Sequence, residues 1–181
     1  MTLNRKFNYA KCSFRRTRGG DKIMGISAFV LFETGSNIPL TDLLQYTEDF
    51  CIELNLFYGV SFKKANGNNQ LKHVRSNISD LPFVESSSRQ LCIDFYDEPY
   101  KFQNISFDWS GRDTEFFEAI IVDGFCDNED LLFDVLFKVL KNYPNTKVWM
   151  EDDWFYTLND LEKIANRPYD GNWCYKNPKE L

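Results

Sequence analysis

The stretch "DNEDLLFDVLFKVLKNYP", residues 127–144, carries the clearest helical pattern in the chain and decides its fold class. Apolar side chains recur in it at three- and four-residue spacing, which places them along one face of a helix. The residues on that face are Leu131, Leu132, Val135, Leu136, Val139 and Leu140. Asp127 is suited to cap the start of the helix, and Pro144 enforces its end. The pattern therefore predicts an amphipathic helix that buries one side.

Strand patterns flank this helix on both sides. "EFFEAIIV" (115–122) precedes it and "KVWM" (147–150) follows it, and both are rich in β-branched and aromatic residues. The first part of the chain repeats this order, with a strand at 25–33, a helix at 40–54 and a strand at 56–64. The sequence thus predicts two β-α-β units.

The remaining elements are shorter. Residues 90–96 and 102–109 alternate apolar and polar side chains on either side of "DEPYK", which predicts a β-hairpin. A short C-terminal helix is predicted at 158–166, with Thr157 and Asp160 as a capping pair. Residues 65–88 show no clear period and are predicted to form a polar surface excursion.

These elements predict one α+β domain over residues 1–181. Its sheet is expected to be mixed and largely antiparallel, with the two main helices packed mostly on one face. The length suits a single domain, and the hydrophobic content of 43% is enough for a core. No linker composition divides the chain.

Composition also bounds the environment of the protein. The N-terminus lacks the apolar region of a signal peptide, and no apolar run approaches the length of a membrane helix, so no membrane contact is expected. Five cysteines without any C-x-x-C spacing predict free thiols rather than disulfides or a zinc site. A soluble, cytoplasmic protein is therefore expected.

The net charge of −6 is unevenly distributed. Residues 94–134 hold two basic and twelve acidic residues, whereas residues 1–20 hold six basic residues and no acid. Such an acidic body repels nucleic acids and membranes and attracts basic partners. The basic arm, 1–20, has two interpretations: a contact with nucleic acid or an acidic partner, or a first strand whose cations face the acidic body.

Three consecutive carboxylates, residues 151–153, lie between Trp149 and Trp154. If the strand before them continues, Glu151 and Asp153 share a face with Trp149, with Cα atoms about 6.6 Å apart. Aromatic rings beside carboxylates are typical of protein-interface hot spots.

Aromatic residues near the C-terminus have two possible roles beside this cluster. They either extend the interface or fold back and cover Trp149. The residues concerned are Tyr169, Trp173 and Tyr175.

The same carboxylates admit a metal-dependent alternative. Glu151 and Asp153 would need a third acid, such as Asp94, Asp108 or Glu118, to hold a divalent cation. In the predicted hairpin Asp94 and Asp108 would lie roughly 13 Å apart, which is too far for a shared ion unless the register of the hairpin is shifted. The chain has one histidine, no nucleotide-binding glycine motif and no nucleophile elbow, so nothing in it favours an enzyme.

The sequence therefore predicts a non-catalytic domain that binds a basic protein, such as an inhibitor or immunity-type protein that neutralises a toxin or nuclease. The predicted contact residues are Trp149, Glu151, Asp153, Trp154, Tyr156, Asp94, Asp97, Glu98 and Asp108. No cofactor, metal or catalytic residue is predicted. The alternatives are a divalent-metal-dependent hydrolase and a nucleic-acid-associated protein that docks through its basic arm.

Overall fold

A computed structural model describes residues 26–82, 89–98, 103–110 and 114–180. In them an eight-stranded sheet has the order β2-β3-β4-β6-β1-β7-β8, and β5 pairs with β6 beside that path. The strands are β1 Ala28–Glu33, β2 Phe57–Ala65, β3 Leu71–Ser79, β4 Gln90–Tyr96, β5 Asn104–Ser106, β6 Glu115–Asp123, β7 Lys147–Trp149 and β8 Phe155–Tyr156. Every pairing among these strands is antiparallel.

Three helices lie with the sheet: α1 Leu40–Glu53, α2 Glu129–Asn142 and α3 Leu158–Ala165. All six apolar residues predicted for one face of α2 are buried. They join one main core with α1, with Leu161 of α3 and with alternate strand residues such as Val30 and Val122. The predicted α+β fold, with helices packed against one face, is confirmed. No helix in the described part of the chain combines the length and apolarity needed to cross a membrane.

Of the two helix caps predicted from the sequence, one is wrong and one is confirmed. Asp127 does not cap α2, because the cap position is Asn128 and Asp127 has a left-handed φ of 65° in the preceding loop. The predicted pair at α3 is confirmed, since the backbone N–H of Thr157 donates to Asp160 Oδ2 at 3.0 Å. Such a contact satisfies a polar group at a helix start that the helix itself leaves unpaired.

Each predicted β-α-β unit is present, but its strands are not neighbours. β1 and β2 are separated by β3, β4 and β6, and β1 itself lies between β6 and β7. Because neighbours alternate in direction, the two strands of each unit still run the same way. Both helices contribute to one main core, which places them on the same face of the sheet.

The predicted hairpin of 90–96 and 102–109 is wrong. β4 pairs with β3 and with the second half of β6, whereas β5 pairs with the first half of β6, where Ile105 lies opposite Phe116. β6 has nine residues and is therefore long enough to pair with both strands along one edge. Residues 99–101 of the predicted turn and residue 102 of the predicted strand lie outside the described residues.

The predicted excursion at 65–88 is also wrong over much of its length. Residues 71–79 form β3, an interior strand in which Val74 and Ile78 are completely buried. Its polar side chains His73 and Arg75 lie on the face away from the helices and bind Asp94 of β4. Residues 83–88 lie outside the described part of the chain.

A second, smaller core lies on the sheet face opposite the described α-helices. Leu31, Phe107 and Phe116 are buried there. Four partly buried residues pack around them: Phe29, Ile105, Trp149 and Phe155. This cluster fixes the position of the β7–β8 hairpin, which carries the predicted acidic site.

Candidate partner-binding surface

The three consecutive carboxylates form the turn of a β-hairpin. β7 ends at Trp149, β8 begins at Phe155, and these two residues pair across the hairpin. The prediction that Glu151 and Asp153 continue the strand and share a face with Trp149 is wrong, because Glu151 has a left-handed φ of 62° that turns the chain. The indole N–H of Trp149 donates to the carbonyl oxygen of Asp152 at 2.8 Å and closes this turn.

Trp149 is covered by neighbours from the sheet rather than by the C-terminal aromatics. Its ring centroid lies 5.0 Å from that of Phe29 and 4.9 Å from that of Phe107. Trp173 lies in the main core on the helix side of the sheet, with 1% of its surface exposed. The tail therefore neither extends the hairpin surface through Trp173 nor folds over Trp149 with it.

Two other aromatic residues of the predicted site belong to the core. Tyr156 is fully buried, and its hydroxyl bonds the carbonyl oxygens of Trp173 and Lys176. Burial raises the pKa of Tyr156 to about 12. Trp154 is partly buried against the main core. Tyr156 thus exposes no surface in this conformation, so its burial gives no support to the prediction that it contacts a partner.

Asp94 is a buried carboxylate that is bound within its own chain, which likewise gives no support to its prediction as a contact. Only 3% of Asp94 is exposed. Arg75 donates to it through Nε at 2.9 Å and Nη2 at 2.6 Å, and His73 Nε2 lies 2.6 Å from Oδ1. The His73 ring stacks on Tyr96 with centroids 4.4 Å apart. This network binds β3 to β4. It was not predicted from the sequence, because His73 and Arg75 lie in residues 65–88, which were predicted to form a surface excursion.

Asp97 and Glu98, two further predicted contacts, bind groups of the same chain. Asp97 is 7% exposed and pairs with Lys72 Nζ at 2.6 Å. Glu98 accepts hydrogen bonds from the backbone N–H groups of Gly35 and Asn37. Asp97 therefore ties the end of β4 to β3, and Glu98 holds the loop that follows β1, so each carboxylate has partners within the chain.

A different group of carboxylates gathers at the end of the sheet where β1 begins and β6 ends. Ser27 joins them, because its backbone N–H donates to Glu151 Oε2 at 3.3 Å and its hydroxyl donates to Asp123 Oδ1 at 2.6 Å. Asp152 and Asp153 follow Glu151 in the hairpin turn. We call Asp123 and residues 151–153 the acidic end.

The acidic end has no internal counter-charge in the described residues. None of its four carboxylates forms an ion pair there, whereas Asp80, Asp94 and Asp97 each bind a cation. Burial raises the pKa of the Asp152 carboxyl, and the neighbouring Asp153 carboxylate raises it further. Asp123 was not among the contact residues predicted from the sequence. Its position at the end of a strongly apolar strand is the signal that could have identified it.

Asp108 is exposed and begins a short 3₁₀ helix, Asp108–Ser110, over the second core. Trp109 packs on Phe155 there, with ring centroids 4.7 Å apart. Asp108 forms no ion pair in the described residues, and its role as a partner contact stays a prediction.

The metal alternative lacks a ligand cluster in the described ranges. No three His, Cys, Asp or Glu side chains there come close enough to hold an ion. Glu118, one of the proposed third acids, lies opposite Leu31 at an irregularity in the pairing of β1 with β6. Its carboxyl is half-buried, and burial raises its pKa.

Glu118→Gln is expected to stabilise the fold slightly near neutral pH, by under about 1 kcal/mol. The raised pKa means that the ionised carboxylate disfavours folding, and this cost disappears as the pH falls through the folded-state pKa. Urea unfolding at pH 7 and near about pH 4 should therefore show the gain only at the higher pH. Glu115→Gln, at an exposed position of the same strand, is the control. An equal gain at both pH values would contradict the interpretation that the ionised Glu118 carboxylate disfavours folding.

Comparison with known proteins adds no family assignment to this geometry. No protein-family model, curated protein or solved structure matches the chain. The candidate site is therefore defined by the charges and contacts of its own residues, and those point to the acidic end.

Proposed function

We propose that this chain is a non-catalytic protein-binding domain that takes a basic protein on its acidic end. The observation that carries the proposal is that Ser27 holds Asp123 and Glu151 together, with Asp152 and Asp153 next in the turn, and that none of the four pairs with a cation among the described residues. In its concrete form, the domain is an inhibitor or immunity-type protein that neutralises a basic toxin or nuclease.

The turn that carries three of these acids is held in one shape. The bond from Trp149 Nε1 to the Asp152 carbonyl and the bond from Ser27 to Glu151 connect the turn to the sheet. The Trp149 ring is in turn fixed by Phe29 and Phe107. A pre-organised acidic turn loses little conformational entropy on binding, which favours affinity for a partner of opposite charge.

The separation of paired and unpaired acids supports electrostatic recognition. Carboxylates such as Asp94 and Asp97 are neutralised inside the sheet and contribute little to the field outside the protein. The field at the acidic end comes from carboxylates that lack such partners in the described residues. Complementary charge of this kind raises association rates and selects partners, and its effect declines with salt.

Glu151→Lys and Asp153→Lys are expected to weaken partner binding by about tenfold each, and more at low salt. Both side chains are exposed, so the substitutions reverse charge without disturbing a core. A tagged protein is first used to capture partners from its native cells at two salt concentrations, with mass spectrometry to identify them. Affinities for the purified partner are then measured for each variant.

Glu48→Lys is the matched control, because it makes the same charge change at an exposed acid of α1, which is no part of the acidic end or of the predicted contacts. Equal losses from Glu48→Lys and Glu151→Lys would indicate a general charge effect and contradict the proposal. Deletion of residues 1–20 tests the nucleic-acid alternative separately. That basic arm lies outside the described residues, and loss of nucleic-acid binding on its deletion would favour the alternative function.

A further inference from the structure

The turn between β2 and β3 contains the only Asn-Gly pair in the sequence, Asn66-Gly67. An asparagine before glycine is prone to deamidate, because glycine has no Cβ to hinder attack by its backbone nitrogen on the asparagine side chain. Gly67 is exposed, and no described atom beyond its chain neighbours lies within 4 Å of the position that a Cβ would take. The attacking nitrogen therefore lies in an open part of the surface.

Hydrogen bonds hold the side chain of Asn66 within this turn. Its carbonyl oxygen Oδ1 accepts the backbone N–H groups of Asn68 at 2.9 Å and of Gln70 at 3.0 Å. Its amide nitrogen Nδ2 donates to Gln70 Oε1 at 3.2 Å. Gln70 is anchored in turn, because its Nε2 donates to Asp97 Oδ2 at 3.1 Å. The Asn66 amide is therefore held in one orientation, with two N–H donors directed at its oxygen.

The backbone nitrogen of Gly67 is not engaged in this network. Its N–H donates to no group in the described part of the chain, whereas the backbone N–H groups of Asn66, Asn68 and Asn69 all donate within the turn. The Gly67 N–H therefore breaks no hydrogen bond within the protein when it gives up its proton. The turn thus leaves free the one nitrogen that must attack.

We propose that Asn66 is a site of spontaneous deamidation and that the folded turn promotes the reaction. The Gly67 nitrogen loses its proton to hydroxide and forms a bond to Asn66 Cγ. The Cγ–Nδ2 bond then breaks, and Nδ2 takes a proton from water and leaves as ammonia. Water opens the resulting succinimide ring and gives aspartate or isoaspartate at position 66. The net reaction consumes one water and releases one ammonia, and nothing is oxidised or reduced.

The promotion comes from the two donors at Oδ1. Negative charge develops on this oxygen when the new bond to Cγ forms. The N–H groups of Asn68 and Gln70 already point at it, so they stabilise the tetrahedral intermediate as the donors of an oxyanion hole do. Hydrogen bonds of this kind strengthen as the acceptor becomes charged. An unfolded chain has the same Asn-Gly pair without this fixed arrangement of donors.

The two products differ in their effect on the turn. Aspartate keeps an oxygen for the N–H groups of Asn68 and Gln70 and loses the bond from Nδ2 to Gln70. Isoaspartate inserts one more backbone atom beside the place where Ala65 pairs with Leu71. An insertion at that point disturbs the register between β2 and β3. The aspartate product is therefore expected to keep the turn, and the isoaspartate product to open it.

Incubation of the full chain in mildly alkaline buffer, followed by peptide mass spectrometry, tests the proposal. The mass increase for exchange of –NH₂ by –OH is expected at Asn66 about tenfold or more faster than at Asn68, the internal control that lacks a following glycine. Gly67→Ala should slow the reaction by about tenfold or more, because its Cβ hinders the attack. The variant should fold normally, since Gly67 has no left-handed φ and the Cβ position is open.

The same measurement on the wild-type chain unfolded in urea separates the effect of the turn from that of the sequence. The folded chain is expected to deamidate at Asn66 several-fold faster than the unfolded chain. An equal or lower rate in the folded chain would overturn the proposal, and so would an unmodified Asn66 or a folded Gly67→Ala variant that reacts as fast as the wild type. The comparison of folded and unfolded wild type stands even if Gly67→Ala misfolds by circular dichroism.

Discussion

Asp94→Ala is expected to lower the free energy of unfolding by about 3 kcal/mol, one of the two largest effects foreseen for a single substitution. Asp94 is 3% exposed and accepts hydrogen bonds from both Arg75 and His73. Removing one partner of a buried charged network leaves the others desolvated and uncompensated. Urea denaturation monitored by circular dichroism measures the loss.

Asp108→Ala removes an exposed carboxylate and should change stability by less than about 0.5 kcal/mol. A double-mutant cycle of Asp94→Ala with Arg75→Ala should give a strong coupling, because the two side chains bond directly. Additive effects in that cycle would show that Asp94 stabilises the sheet by some other contact.

Trp173→Ala is expected to cost about 3–5 kcal/mol. Trp173 is 1% exposed, packs edge-on against Phe133 and Tyr156, and donates its indole N–H to the carbonyl oxygen of Glu129 at 3.0 Å. Its loss would open a large cavity in the main core and release the C-terminal segment from the start of α2. Thermal and urea unfolding both measure this effect.

Tyr175→Ala is the control for that experiment. Tyr175 lies two positions further on and is 37% exposed, and its hydroxyl donates to the Glu129 side chain. Its replacement should cost about 1 kcal/mol or less. Equal losses for Trp173→Ala and Tyr175→Ala would contradict the view that core packing, rather than attachment of the tail, provides the stability.

The helices were predictable from sequence because their pattern is local. Apolar residues at helical spacing defined α1 and α2 to within a residue or two, and the caps were less certain, as Asp127 and Asn128 show. Buried strands such as β6 were equally clear, since their continuous apolar runs need no knowledge of their neighbours.

The pairing of strands was not predictable because it depends on residues far apart in the chain. β3 was missed because its helix-side positions include Ser76 between Val74 and Ile78, which weakens the alternation. β5 was assigned to the wrong neighbour because adjacency in sequence favours a hairpin, whereas β6 offered a free edge.

For the same reason, some residues of the predicted site are exposed and others belong to the core. Glu151 and Asp153 remain exposed acids, but Asp94 is a core residue because Arg75 and His73 come from a strand that the sequence did not reveal. Asp123 belongs to the acidic end because Ser27, just before β1, donates a hydrogen bond to it at the end of β6. Local patterns thus identified the acids, and only the fold determined which of them are available to a partner.

The position of β1 between β6 and β7 has a consequence for biosynthesis. β1 leaves the ribosome before every other described strand, yet both of its neighbours come from the second half of the chain. Its wholly buried residues, Val30 and Leu31 among them, therefore stay unpaired until residues 115–149 have been translated. Such non-local contacts slow folding and prolong exposure of apolar segments. We therefore expect the apolar residues of β1 to be most exposed to misassociation in the interval before β6 emerges.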